Sequence, residues 1–195
     1  MRITATLLTV SLLALALISC GGYRMYVNDE ADFGFYQRIG VLPFSNLSGD
    51  RYASEKVTSA FLTELLIGSR VDVLPMGDMM KAYRNVIKDE RTDLSTQLTA
   101  EEAQALGKEA NVEGLLVGVV QEYSQVRSGQ ADFPLVSLAV RFIDCQSGKI
   151  IWTYEITRKG GPKFPIFSFG ETHTLGDMTT KVCRKVANAF KGILK

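Results

Sequence analysis

Catalysis needs recognisable company: a nucleophile beside a base, a cluster of metal ligands, a phosphate cradle, or two carboxylates across a cleft. The chain has one histidine, His173. No Gly-x-Ser-x-Gly elbow accompanies it, so no motif places a hydroxyl for the imidazole to activate. His173 lies just ahead of a helical stripe and reads as a helix-start residue. Asn46-Leu47-Ser48-Gly49-Asp50 superficially suggests a phosphate loop, but it has one glycine and no Gly-Lys-Ser/Thr. Its residue types are those that bond their own backbone in turns. Asp89, Glu90, Glu101 and Glu102 read as solvated helix and loop faces, with no pair placed across a cleft as a glycosidase requires. The three cysteines, Cys20, Cys145 and Cys183, show neither CxxC nor Cys/His spacing. The expectation is a protein without enzymatic activity, metal or dissociable cofactor.

Cys20 carries a different chemistry. Arg2 gives a positive start, Ile3 to Ile18 is nearly all apolar or small, and Leu17-Ile18-Ser19-Cys20 follows. That is a secretory signal peptide, too short and wrongly flanked for a spanning helix. The four residues ending at Cys20 also resemble the bacterial lipobox, whose cysteine becomes the acylated first residue of the mature chain. The resemblance implies a covalent lipid on Cys20 and stable anchoring by several acyl chains. Gly21 stands where an aspartate would, by analogy with known sorting systems, favour the inner membrane. The expected location is therefore the periplasmic face of the outer membrane. Disulfides persist in that compartment. Cys145 and Cys183 could bridge, or sit apart as small buried hydrophobes, and the second reading is favoured.

The composition is that of an ordinary globular domain, 46% hydrophobic and 22% charged. A net charge of +1 argues against a nucleic-acid surface, which needs a clear excess of Lys and Arg. The division expected is a signal peptide over 1–19, the lipidated cysteine with a short tether over 20–37, some of it packed on the domain, and one domain over 38–195. Fully extended, a tether of about fifteen residues reaches roughly 50 Å, which keeps the domain close to its membrane.

The elements follow from periodicity. Arg38 to Phe44 is a buried strand stopped by Pro43. Val57, Phe61, Leu62, Leu65 and Leu66 repeat at helical spacing before Gly68. Val71 to Pro75 is a short strand, and Met76 to about Asn85 a helix. Asp89 to Leu98 is polar and aperiodic. Thr99-Ala100-Glu101-Glu102 fits a capping box opening a helix that runs to about Ala110. Gly114 to Tyr123 is apolar on both faces and reads as a central strand. Ser124 to Pro134 reads as a polar loop. Val136 to Phe142 and Ile150 to Ile156 alternate in character around Ser147-Gly148, as a hairpin does. Leu175, Met178, Val182, Val186, Phe190 and Ile193 form one stripe of a long final helix. The order predicts one α/β domain, three-layer in character, with a mixed β-sheet flanked by helices.

One loop is unusual: Gly160-Gly161-Pro162-Lys163-Phe164-Pro165-Ile166-Phe167-Ser168-Phe169-Gly170. Four large apolar residues (Phe164, Ile166, Phe167, Phe169) in a loop are either a folded-in plug or a contact surface. Aromatic side chains suit a membrane–water interface, and Lys163 could meet a headgroup. Membrane docking, a subunit interface and core cover all remain open here.

Ile39-Gly40-Val41-Leu42-Pro43-Phe44-Ser45-Asn46-Leu47-Ser48-Gly49-Asp50 resembles the opening of an envelope domain found in the CsgG family and in the N-terminal domain of TolB. The Glu55–Val73 segment is similar to CsgG, as is the strand-turn-strand of Val136 to Tyr154. CsgG channels build a shared barrel from long hairpins, for which this chain has no room. The lipobox, the short tether, Ser147-Gly148-Lys149-Ile150-Ile151-Trp152 and the single last helix resemble the compact PelC family of Pel exopolysaccharide export. That likeness implies a CsgG/TolB-N-like fold without transmembrane β-hairpins. It also implies a homo-oligomeric ring under the outer membrane that guides a cationic exopolysaccharide to a separate β-barrel export porin. Such a ring needs a lumen of negative potential. Glu122 and Asp132, flanking the expected loop at its strand ends, are the acidic candidates. Two other envelope roles stay open: an LpoB-type activator of a cell-wall synthase, and an accessory lipoprotein of curli or flagellar assembly.

Overall fold

Val57, Phe61 and Leu65 recur at helical spacing and are fully buried; Val140 and Phe142 alternate with Ala139 and Arg141 and are buried as a pair. Those two periodicities build the molecule. The computed structural model describes residues 22–87, 98–129, 131–161 and 172–194. Among them the strands are β1 (Tyr23–Val27), β2 (Arg38–Val41), β3 (Ser45–Asn46), β4 (Asp72–Val73), β5 (Gly114–Ser128), β6 (Ala131–Asp144) and β7 (Ile150–Lys159). The helices are α1 (Ala53–Leu66), α2 (Met76–Val86), α3 (Ala100–Ala110) and α4 (Leu175–Ile193). All strands join one sheet in the order β1-β7-β6-β5-β2-β4, with β3 also on β5. β2 runs parallel to β4 and β5, and the β5-β6-β7-β1 half is antiparallel. The chain is one α/β domain with a mixed sheet and helices on both faces.

The two faces are covered unequally. On one, α1 and α4 bury Phe61, Leu65, Val182, Val186 and Phe190 against Val140, Phe142, Trp152, Tyr154 and Ile156. On the other, α2 and α3 bury Met79, Tyr83 and Leu106 against Leu42, Leu115, Val117, Ile143 and Cys145. The second core ends at the first residues of β5 and the last of β6.

Helix ends follow the sequence signals. Thr99 accepts from the Glu102 amide at 3.2 Å, while Glu102 accepts from the Thr99 amide at 2.9 Å, which closes the capping box. Asn111 ends α3 in the left-handed region at φ 52°, a conformation asparagine tolerates. Thr174 caps α4 through the Asp177 amide at 3.1 Å. Asn46 accepts from Ser48, and its amide donates to the Asp50 carbonyl at 2.8 Å. Asp50 accepts from the Tyr52 amide at 2.8 Å and pairs with Lys56 at 3.1 Å. The loop with a superficial likeness to a phosphate cradle thus uses its own side chains to enter α1.

Two expectations are corrected. The sequence pattern gives residues 20–37 no regular element, only a tether packed in part on the domain, yet Tyr23–Val27 is an edge strand paired antiparallel with β7, Tyr23 opposite Ile156 and Val27 opposite Trp152. Tyr, Met and Val fit a pleated edge, and β7 would otherwise leave a row of backbone groups unpaired. Composition makes Ser124 to Pro134 a loop, yet the β5–β6 ladder runs on through Ser124↔Leu135 to Ser128↔Ala131. Backbone pairing needs no apolar side chains, and Gly129 at φ 67° allows the tight reversal.

The β6–β7 turn is held by one carboxylate. Asp144 accepts from the Ser147 hydroxyl at 2.5 Å, the Ser147 amide at 2.8 Å, the Gln146 amide at 3.3 Å and the Tyr36 hydroxyl at 3.2 Å. Burial pushes its pKa up, but the bonds from Ser147, Gln146 and Tyr36 outweigh burial and hold it below the usual aspartate range. A lowered folded-state pKa contributes stability above the unfolded value, lost as pH falls through the folded one. Replacing Asp144 by Asn is expected to cost about 1 kcal/mol at pH 7, allowing for solvent screening. Urea melts of the two proteins should differ most at neutral pH and converge below about pH 4; a pH-independent gap would contradict this account.

Candidate functional site

Beyond the reach of α2 and α3, the sheet face formed by β5, β6, β7 and β1 has no helix over it among the described residues. Its side chains are polar where a covered face would be apolar. A bulge in β5 between Val120 and Glu122 adds Gln121 to the strand, and bulges re-aim side chains. The Ser137 hydroxyl donates to Gln121 Oε1 at 2.8 Å, and Gln121 Nε2 donates to Glu155 Oε1 at 3.2 Å. Ser137 Oγ also lies 2.8 Å from Thr157 Oγ1. The single serine proton is committed to Gln121, so Thr157 is the donor there. Three strands are thereby laced by side chains, with Ser137 buried and Gln121 and Glu155 half-buried. Such a surface offers hydrogen-bond donors and acceptors in a fixed pattern but no nucleophile beside a base.

Glu122 is exposed, opposite Ser137 in register and therefore on this face. Asp132 is exposed near the hairpin tip, opposite Arg127. Five residues of strand, roughly 16 Å, separate Ser137 from Asp132, and that odd spacing puts Asp132 on the opposite face, so the two acidic candidates do not share one spot within a subunit. Cys20 and the loop residues Lys163, Phe164, Ile166, Phe167 and Phe169 lie outside the described residues, as do Asp89 and Glu90. Beside that loop, Gly160 lies so close to the Thr172 carbonyl that a Cβ would collide with its oxygen. His173 follows directly, its ring tilted against Phe133 at 6.2 Å, and its carbonyl accepts from Gln125 at 3.5 Å. A cleft of about 290 Å³ opens by Gly68, Arg70, Lys191, Gly192 and Leu194. Its lysine is already used, donating to the Glu64 and Ile67 carbonyls at 3.0 and 2.6 Å where α1 ends. Among the described residues no three His, Cys, Asp or Glu side chains converge on a metal site, and no helix is long and apolar enough to cross a membrane.

Sequence reasoning missed the β1 edge. Tyr23 stacks on Tyr154 at 5.1 Å and 7°, and Lys185 of α4 lies 4.8 Å from the Tyr23 ring centre. Alternation of Tyr23, Met25 and Val27 with Arg24 and Tyr26 is the available signal, in a stretch short enough to pass as linker.

A scan against protein-family models and a search of curated proteins found no match. Solved structures do match. The PelC dodecamer from Paraburkholderia phytofirmans is similar with a TM-score of 0.58 at 18% identity, covering 88% of this chain and 97% of that one. The fold is PelC-like. A single-substitution variant of that PelC, also a dodecamer, matches with the same TM-score and identity. Lipoprotein GNA1162 from Neisseria meningitidis follows with a TM-score of 0.52 at 19% identity, covering 77% of this chain and 98% of that one. The comparison supports the PelC side of the sequence resemblance and not the CsgG name. On this PelC-like fold the antiparallel half carries the polar face, the long hairpin and the N-terminal edge together.

The cysteines are placed apart. Cys145 lies in the α2–α3 core and Cys183 in the α1–α4 core, both buried and both free. Burial pushes each thiol up to about 12, helped by Asp144 and Glu113 beside Cys145 and by Glu64 beside Cys183. Neither is expected to react with a maleimide at pH 7.5 in the folded protein, and both should react in 6 M guanidinium at about the same rate. Rapid labelling of either under native conditions, followed by mass, would contradict the burial described.

Proposed function

We propose that this chain is an outer-membrane lipoprotein, lipidated at Cys20, whose copies form a periplasmic collar that guides an exopolysaccharide of Pel type to a partner β-barrel porin. The observation that carries the reading is the likeness, over 88% of the chain, to a PelC solved as a dodecamer. The lipobox adds the anchor, and the β1 strand brings it close: only Gly21 and Gly22 separate Cys20 from the sheet. At roughly 10 Å of reach the domain has to sit against its membrane. The polar sheet face and its hairpin suit contact with neighbours or polymer more than they suit catalysis. Glu122 on the polar face would repeat around a ring as a band of negative potential, and Asp132, on the opposite face near the hairpin tip, as a second band; such bands concentrate a cationic polymer. The loop holding Lys163, Phe164, Ile166, Phe167 and Phe169 is assigned to contact with lipid or with the next subunit.

Likeness to GNA1162, itself a lipoprotein, keeps a second reading in view: an envelope assembly lipoprotein serving curli or flagella, or an LpoB-like activator of a cell-wall synthase. Particle imaging of the full-length protein extracted in mild detergent separates the two. Closed rings with all acyl ends on one face are expected for the collar. Uniform monomers at high concentration would remove the collar reading in favour of the activator.

Polymer binding is a separate check. A cationic polysaccharide should bind the assembled protein at low salt and release by about 0.5 M NaCl, where charge interactions are screened within a few ångströms. A neutral polysaccharide binding equally well would contradict guidance by charge. Glu122→Gln with Asp132→Asn should weaken the cationic polymer several-fold while leaving the ring intact.

A further inference from the structure

The edge of the sheet where the chain emerges toward Cys20 has a chemistry of its own. Tyr23 is the first residue of β1, about half exposed, as is Met25 two residues on. Both lie on the face of the sheet that carries α4, since they oppose Ile156 and Tyr154 in register. Lys185 reaches over the Tyr23 ring from α4. Arg158 extends the Trp152, Tyr154, Ile156 side of β7; burial lowers the pKa of Lys185, and the nearby Arg158 charge adds to that. Neither Lys185 nor Arg158 forms an ion pair among the described residues. The far end of β1 has the opposite character, running into Asp29, Glu30 and Asp32. The edge is thus basic and aromatic where it faces the anchor and acidic where it leads away.

We propose that Lys185 and Arg158, with Tyr23 and Met25 beside them, form a non-covalent docking site for the phosphate headgroups of an anionic phospholipid surface. The proposal rests on the reading of Cys20 as the lipidated residue, because that reading places this edge within roughly 10 Å of the headgroups. A tyrosine with an apolar ring and polar tip suits the interfacial layer. Two cations held side by side gain from an anion between them, since it removes their mutual repulsion. The site would fix the orientation of the domain on the bilayer, which acyl chains joined through Cys20-Gly21-Gly22 alone cannot do. In a ring, every subunit would then present its polar sheet face at the same angle.

The test uses the mature chain with Cys20→Ser, so that no acyl chain contributes, and flotation with vesicles of phosphatidylcholine alone or with 30% phosphatidylglycerol. Binding is expected to the anionic vesicles only. It should fall about 25-fold in Lys185→Ala/Arg158→Ala, at about fivefold for each basic residue near the surface. Lys81→Ala/Lys108→Ala, on the exposed surfaces of α2 and α3, makes the same change in net charge and should lose less than threefold. Lys185→Arg should retain binding. The idea is overturned if neutral vesicles bind equally, if no vesicle binds, or if the Lys81/Lys108 pair loses as much as the Lys185/Arg158 pair. Thermal melts within about 2 °C of the parent exclude unfolding as the cause. The anchor reading has its own readout, the intact mass of the full-length chain purified from membranes. An unacylated Cys20 would end that reading and leave the vesicle result to stand or fall alone.

Discussion

Phe190 of α4 packs edge-on against Phe142 at 4.8 Å and tilted against Trp152 at 5.2 Å, and Tyr36 meets Phe142 edge-on at 4.8 Å. This aromatic seam ties the last helix to the two central antiparallel strands and to the segment that leads into β2. Trp152 is fully buried and its indole N–H has no hydrogen-bond partner among the described residues. That omission costs about 1–3 kcal/mol. Ring packing worth about 0.5–1.5 kcal/mol per pair, added to burial of roughly 150–250 Å² for each aromatic, outweighs it. Backbone room is part of the same seam: a Cβ on Gly114 would collide with the Phe142 ring, so glycine is what lets that ring lie over β5.

The seam also determines where polar chemistry is permitted. With α4 and α1 on one face, the second face is covered only over the parallel strands and the adjoining ends of β5 and β6, where α2 and α3 lie. Parallel strands are normally buried on both sides, whereas antiparallel ones tolerate a solvated face. The covered core therefore lies over the parallel strands and the adjoining end of the β5–β6 ladder, and the polar surface over the rest of the antiparallel half. Glu64 shows the same economy at the helix pair. It is nearly buried on α1 and receives both arms of the Arg184 guanidinium at 3.1 Å, so a charge inside the α1–α4 contact is matched by a partner whose other side is in water.

Much of the fold is legible in the chain because each stretch carries its own period. The stripe from Leu175 to Ile193, the capping box at Thr99 and the hairpin around Ser147-Gly148 are local facts, written within a few residues of one another. What is not legible depends on distant partners. Tyr23-Arg24-Met25-Tyr26-Val27 alternates like a strand, but a five-residue segment is only a strand if an edge is waiting for it, and β7 lies far along the chain. Ser124 to Pro134 has loop composition on both sides of Gly129, and its ladder forms because the strands leading into it are already in register. Gln121, Ser137, Glu155 and Thr157 come from three strands and meet through a bulge that no composition signals. Lys185 and Arg158 are ordinary surface cations singly and become a pair only across the β7–α4 contact.

Local pattern and residue type were enough to set two things that the structure shows: one α/β domain, and two thiols buried apart from each other. Hydrophobic burial and backbone hydrogen bonding translate such patterns almost directly into elements. Which sheet face stays polar, how far the hairpin extends, and how few residues lie between Cys20 and the folded domain came only with the assembled fold. Those depend on strand order and on which helices cover which half of the sheet. Register and coverage are set by packing between residues far apart in the chain, so their energy is spread over the whole core and leaves no mark on any one segment.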